Sequence, residues 1–165
     1  MRFTDDIERI AFQVIEAYTK KGKKIVTAES CTGGLIAAAL TSISGASAVV
    51  DRGFVTYDNN AKIDLLGVLP DRINTFGAVS PEVADDMAMG ALDYSHADVA
   101  LSVTGIAGPN GGTAIKPVGL VYFGIATRDG RNFHVQSNQK GDRHEVRRLS
   151  VIEGLKLLLS VVEEE

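Results

Sequence analysis

Between Lys24 and Leu40 the chain passes from one apolar run to another through Glu29-Ser30-Cys31-Thr32-Gly33-Gly34. Lys24-Ile25-Val26-Thr27-Ala28 reads as a short buried strand, and Leu35-Ile36-Ala37-Ala38-Ala39-Leu40 as the start of an apolar helix. A strand that turns directly into a helix belongs to an α/β fold. It leaves backbone N–H groups exposed at the positive end of a helix, where an anion or a developing oxyanion is stabilised. The geometry is that of a nucleophile elbow, but the G-x-S-x-G pattern is absent. A plain αβ turn needs its two glycines. It does not need four consecutive residues with hydrogen-bonding side chains, Glu29 to Thr32.

The remaining pattern extends the same alternation. Thr4 is placed to cap a helix with Ile7, Ile10, Ala11, Val14, Ile15 and Tyr18 at helical spacing, ended by Gly22. After Gly45 breaks the second helix, Val49 to Tyr57 reads as extended, with Gly53 a bulge or a close approach. Asn59 or Asn60 is expected to cap a short helix ending at Gly67, which sets Lys62 near its N-terminus, where a cation is disfavoured. Residues 68–79 read as a loop or short elements. Ser80-Pro81-Glu82 opens a helix to about residue 94, whose alanines suggest close packing across a subunit interface. Asp98 to Thr104 reads as a central strand, followed by a second glycine-rich loop, 105–113. Gly119 to Thr127 and Asn132 to Asn138 form a hairpin about Asp129-Gly130, and Asp142 with Glu145 starts the last helix. The order predicts one three-layer α/β/α domain over 1–165 with a mixed sheet.

Composition narrows the function. A net charge of −4 and 6% aromatic residues with no Trp argue against a dedicated nucleic-acid binder. One cysteine allows neither an intrachain disulfide nor a Cys-based metal cluster. No apolar run is long enough to span a membrane and no signal-peptide pattern opens the chain, so a cytoplasmic protein is expected.

Neither glycine loop is a P-loop or a Rossmann fingerprint. For a nucleophile the neighbours Ser30 and Cys31 compete. A Ser-His-Asp triad would need His96, His134 or His144, none of them well placed. A serine–lysine pair would need a lysine of lowered pKa, with Lys62 and Lys116 the candidates.

The segments Ala28-Glu29-Ser30-Cys31-Thr32-Gly33-Gly34, Val55-Thr56-Tyr57 with Ala61-Lys62 and Leu65-Leu66-Gly67-Val68, and Gly77-Ala78-Val79-Ser80 continue with Thr104-Gly105-Ile106-Ala107-Gly108-Pro109, Lys116-Pro117-Val118-Gly119, and Gly141-Asp142-Arg143 with Arg147. Together, in this order, they resemble the CinA C-terminal-domain family of nicotinamide-nucleotide amidohydrolases. The resemblance implies a three-layer α/β domain that hydrolyses the carboxamide of nicotinamide mononucleotide (NMN) to nicotinate mononucleotide and ammonia. It implies Ser30 as nucleophile, assisted by Lys62 and Tyr57. The sequence shows no plausible metal-ligand cluster, so neither metal nor cofactor is expected. Some relatives carry a further N-terminal domain, whose activity is not expected here. Asp58-Asn59-Asn60 departs from the family pattern, which has a serine and an acid near those positions.

Amides of Cys31, Thr32, Gly33 and Gly34 suit an oxyanion, each donor contributing about 2.7–4 kcal/mol when well placed. Thr104, Gly105, Ala107 and Gly108 with Arg143 or Arg147 are expected to bind the substrate and its phosphate. A homodimer is expected from the alanine-rich helix and an edge hairpin. The alternatives are a non-catalytic module for a phosphorylated ligand or a protein partner, and an amidase for another substrate.

Overall fold

The computed structural model describes residues 1–165. Helix α1 (Asp5–Lys21) leads into β1 (Ile25–Glu29), then α2 (Leu35–Thr41), a short 3-10 turn at 46–48, β2 (Val50–Val55), and three helices, α3 (Asn59–Leu66), α4 (Pro70–Phe76) and α5 (Pro81–Asp93). The central strand β3 (Val99–Gly105), the hairpin β4 (Leu120–Thr127) and β5 (Asn132–Asn138), and α6 (Arg143–Glu163) complete the chain. The sheet order is β2-β1-β3-β4-β5. β1 runs parallel to both β2 and β3, while β3–β4 and β4–β5 are antiparallel, so the sheet is mixed.

Side chains alternate across β3 and sort the core into two layers. Val99, Leu101 and Val103 join α1, α2 and α6 on one face through Val14, Ile36, Leu155 and Leu158. Ala100, with Ala28 and Ala126, faces α5 on the other, where Val83, Met87, Ala88 and Ala91 are buried. Small residues meet small residues on this second face, and α5 therefore sits close. A Cβ at Gly124 of β4 would lie 2.4 Å from the Ala84 carbonyl oxygen, and one at Gly90 of α5 only 1.9 Å from the Leu66 carbonyl oxygen. The first contact seats α5 on the sheet and the second fixes α3 against α5, which sets where Lys62 stands. The alanines of α5 are thus accounted for within one chain, and the subunit interface read into them from the sequence loses that support.

Other local expectations shift for identifiable reasons. The pairing of β1 with β2 is irregular at Asp51, not Gly53, which is instead a close approach to Thr27. α3 is capped one residue earlier than expected, because the Asp58 carboxylate accepts from the Asn60 amide at 2.8 Å. Thr4 flanks α1 without capping it through its side chain. The stretch 68–79 contains α4, which buries only Ile73 and so left little helical periodicity to read. At α6 the Asp142 side chain caps the Glu145 amide, but the Glu145 carboxylate turns to Arg148, so the capping box is one-sided.

β1 has β2 on one side and β3 on the other, with α2 packed on one face of the sheet and α5 on the other. That arrangement opens a crevice beyond the carboxyl ends of β1, β2 and β3, bounded by the turns at 30–34 and 56–58 and the long loop after Gly105.

Candidate active site

Ser30 immediately follows β1. Its amide donates to the Val103 carbonyl at 3.0 Å, and the Thr56 amide donates to the Glu29 carbonyl at 2.9 Å. Sheet hydrogen bonding therefore continues one residue past β1 and β2 and seats Ser30 rigidly. The Gly33 amide then closes a turn onto the Ser30 carbonyl at 3.0 Å. Gly33 and Gly34 have positive φ (60° and 95°), a conformation that a residue with a Cβ adopts only with strain.

The fully buried Glu29 anchors this turn from below. Its two oxygens accept from Thr32 Oγ1 (2.7 Å), the Ile36 amide (2.8 Å), the Ala37 amide (3.0 Å) and Thr27 Oγ1 (3.3 Å). Two of the orphan donors of α2 are thus taken by an internal carboxylate. This corrects the expectation that the start of α2 is itself open to an anion. The Gly33 amide is also engaged and is no oxyanion donor. The amides of Cys31, Thr32 and Gly34 make no backbone hydrogen bond.

Lys62 is the fourth residue of α3, and a helical side chain leans back toward the N-terminus. Its buried Nζ accordingly lies 2.8 Å from the Thr56 carbonyl oxygen, 3.2 Å from the Tyr57 carbonyl oxygen and 3.1 Å from Ser30 Oγ. Burial holds its pKa below the ordinary lysine value, with the charge of Asp58 pulling weakly the other way. Once deprotonated, Lys62 can give its two hydrogens to the two carbonyls and turn its lone pair to the Ser30 hydroxyl. That is the geometry of a general base beside a nucleophile.

The other candidates separate from this pair. Cys31 packs into the core, where burial pushes its thiol pKa up to about 12, so it is no thiolate. Lys116 Nζ donates to the Phe76 carbonyl at the end of α4. None of the three histidines borders the crevice, and His134 pairs with Asp85 on α5. The Tyr57 hydroxyl accepts from the Arg143 guanidinium at 3.0 Å, and of the residue's polar groups only the Tyr57 carbonyl touches Lys62.

Ser30 and Lys62 open into a cleft of about 200 Å³. Cys31, Tyr57, Thr104, Gly105, Ala107 and Arg143 border it, as do Asn59, Ala78 and Val79. The last three carried no expected role. Ala78 and Val79 were visible only as part of the Gly77–Ser80 segment, and Asn59 only as a helix cap. Thr104 Oγ1 donates to the Ala78 carbonyl at 2.8 Å, so it pins that loop. Thr32, Gly33, Gly34, Gly108 and Arg147 stand behind the wall. Gly108 offers its carbonyl to Arg143 at 2.8 Å, and Arg147 donates to the carbonyls of Cys31 and Thr32. Arg143 is thus the cationic side chain at the mouth of the cleft, with Lys62 at its floor.

The lowered pKa of Lys62 fixes the sign of the pH response. Below it, Lys62 is an ammonium and cannot accept the serine proton. Turnover, kcat/KM, is therefore expected to rise with pH to a plateau whose apparent pKa lies below the free lysine value of about 10.4. Stability rises in the same direction, because between those two values the unfolded chain holds a proton that the folded chain has released. Rate profiles and urea titrations between about pH 6 and 10 check both trends. A rate that falls steadily across this range contradicts the assignment.

Residues 7–162 match the family described as CinA C-terminal domain. A relative from Enterobacter agglomerans, named nicotinamide-nucleotide amidohydrolase PncC, is 48% identical over 153 residues, 93% of each chain. The protein of the same name from Escherichia coli K12 is 44% identical over the same shares. Among solved structures, the competence/damage inducible protein CihA from Agrobacterium tumefaciens superposes with a TM-score of 0.95 at 51% identity, covering 98% of both chains.

Proposed function

The chain belongs to the CinA C-terminal domain family, and we propose that it is a nicotinamide-nucleotide amidohydrolase that converts NMN and water to nicotinate mononucleotide and ammonia. The relatives named above support the substrate. The observation that carries the chemistry is the 3.1 Å approach of a buried lysine amine to the hydroxyl of Ser30. A module that only bound a ligand would have no use for a desolvated lysine beside a serine.

In this reading Ser30 Oγ attacks the carboxamide carbon as its proton passes to Lys62 Nζ. The carbonyl π pair moves onto oxygen and is held by free amides of the turn, that of Cys31 being nearest the cleft. Collapse breaks the C–N bond, and Lys62 returns its proton to the leaving nitrogen, giving ammonia and an acyl-serine. Water, deprotonated by the same lysine, then adds to the acyl carbon; collapse breaks the bond to Ser30 Oγ, which takes the proton back from Lys62 as the carboxylate leaves. Tyr57 helps through its carbonyl, which holds Lys62, and through its ring and hydroxyl at the rim. The chain acts as one domain over 1–165, as a cytoplasmic homodimer binding neither nucleic acid nor membrane. No helix is long and apolar enough to cross a membrane.

Ammonia release from NMN tests the reading, run beside nicotinamide riboside and unrelated amides. Arg143, at the mouth of the cleft, is assigned the substrate phosphate through charge-assisted hydrogen bonds. Arg143→Ala is expected to raise KM for the nucleotide about tenfold or more and to change KM for the riboside little. Equal changes for both substrates place phosphate recognition elsewhere.

A further inference from the structure

β3 runs past the point where β1 ends, and the rung it leaves open lies beside Ser30. Val103 pairs with Glu29, which sets Thr104 opposite Ser30. Alternate residues of β3 turn their backbone groups to β1. The Val99 amide donates to the Lys24 carbonyl at 3.1 Å, and the Val103 carbonyl accepts from the Ser30 amide at 3.0 Å. The next group in that series is the Gly105 N–H, whose ladder partner would be the Ser30 carbonyl. That rung is not formed. The chain turns at Ser30, and its carbonyl accepts from the Gly33 amide instead.

The other side of β3 fixes where the Gly105 N–H points. Hydrogen-bonded and non-bonded pairs alternate along an antiparallel ladder. Gly105 stands opposite Val121, and the neighbouring Ile106 amide donates to the Leu120 carbonyl at 2.9 Å. Gly105 and Val121 are therefore a non-bonded pair, and the Gly105 N–H turns away from β4 toward the end of β1. Gly105 borders the same cleft as Ser30, Cys31 and Lys62. A Cβ on it would lie 2.8 Å from Val121 Cγ2 and 2.9 Å from the Leu120 carbonyl oxygen, so a side chain here would push β3 off β4. Neighbouring strands lie about 4.8 Å apart. An acceptor in the vacant rung, about 2.9 Å from the amide nitrogen, therefore sits beside Ser30. A tetrahedral adduct on Ser30 Oγ carries its oxyanion on the carbon bonded to that oxygen, within this reach.

We propose that the Gly105 N–H is a catalytic oxyanion donor: it receives, from the β3 side of the cleft, the negative charge formed on the carboxamide oxygen when Ser30 adds. This rests on the reading of Ser30 as the nucleophile. The amide keeps its proton throughout, and the electron pair returns to the C=O bond as the C–N bond breaks. A donor with no backbone partner in the resting protein has no such bond to give up when the charge appears, which is what preorganisation requires.

Replacing Gly105 with glycolic acid removes the N–H and adds no side chain, because an ester oxygen takes its place. Ile106 replaced by its α-hydroxy acid is the control, since its amide is bonded to Leu120. Both backbone esters and wild type are compared on NMN and p-nitrophenyl acetate, together with Tm. The Gly105 ester is expected to lower kcat about 100- to 1000-fold on both substrates, with KM within about threefold of wild type. It is expected to lose less Tm than the Ile106 ester, which gives up a formed hydrogen bond. An unchanged kcat overturns the proposal, as does a Tm loss larger than the control's. A rise in KM with kcat kept overturns it too, making Gly105 a binding contact only. Should the Gly105 ester not fold, wild type with pyridine-3-boronic acid bonded to Ser30 Oγ decides. A downfield move of the Gly105 amide proton by NMR supports the proposal, and an unmoved proton refutes it. If wild type ignores NMN but its Ser30-dependent turnover of p-nitrophenyl acetate falls in the Gly105 ester, the donor role stands and the substrate assignment falls. If Ser30→Ala keeps the wild-type rate on both substrates, the nucleophile reading fails and the proposal with it.

Discussion

Ser30→Ala and Lys62→Met are each expected to reduce kcat for NMN by about 10³-fold or more, and the double variant to be little worse than either. A serine hydroxyl at neutral pH attacks an amide only if its proton is removed as the bond forms, and Lys62 Nζ is the one side-chain base within reach of Ser30 Oγ. Removing the base strands the nucleophile, and removing the nucleophile idles the base, so the losses do not add. Methionine suits the lysine test, since it fills a buried, unbranched site with similar volume. Its structural cost falls on the carbonyls of Thr56 and Tyr57 and on Ser30 Oγ, each left without its lysine partner. Cys31→Ala is the control. Its thiol is buried in the core, and its substitution is expected to leave most of kcat intact. Steady-state ammonia release from the four variants measures all of this. A dead Cys31→Ala beside an active Ser30→Ala would move the nucleophile to the neighbouring residue.

The second large effect is on stability. Glu29→Ala leaves Thr27 and Thr32 hydroxyls and the amides of Ile36 and Ala37 without their acceptor inside the protein. A buried donor left unsatisfied costs about 1–3 kcal/mol. Four together come to about 4 kcal/mol or more, a large share of the roughly 5–15 kcal/mol that holds a typical domain folded. At this chain length that corresponds to a fall in Tm of about 8–16 °C. Glu29→Gln keeps one acceptor oxygen but turns an NH2 group toward existing donors, and is expected to lose an intermediate amount. Thermal unfolding followed by circular dichroism reads both. A Tm for Glu29→Ala within about 2 °C of wild type would show that the carboxylate does not anchor the turn.

Sequence and structure diverge here in an instructive way. The strands and long helices were legible because their signals are local: alternation along β3, helical spacing in α1 and α6, and Ser80-Pro81 ahead of α5. The strand–turn–helix at 25–41 was legible for the same reason, and it located Ser30. What escaped depends on directions that local pattern does not encode. Lys62 and Lys116 looked alike until the lean of a helical side chain carried one to Ser30 while the other reached the end of α4. Arg143 and Arg147 lie one helical turn apart on α6, yet one faces the cleft and the other the back of the turn. Glu29 stood out only as part of a polar cluster. Its acceptors' partners lie seven and eight residues ahead, across a turn whose path must be known before the carboxylate can be seen to close it.

The central claim is that this chain cleaves the carboxamide of NMN with Ser30. Its most direct test is to incubate purified wild type and Ser30→Ala with NMN and to measure ammonia together with nicotinate mononucleotide. The account expects wild type to release both in equal amounts and Ser30→Ala to release neither above background. Wild type that yields no ammonia from NMN, or Ser30→Ala that yields it at the wild-type rate, would contradict the account.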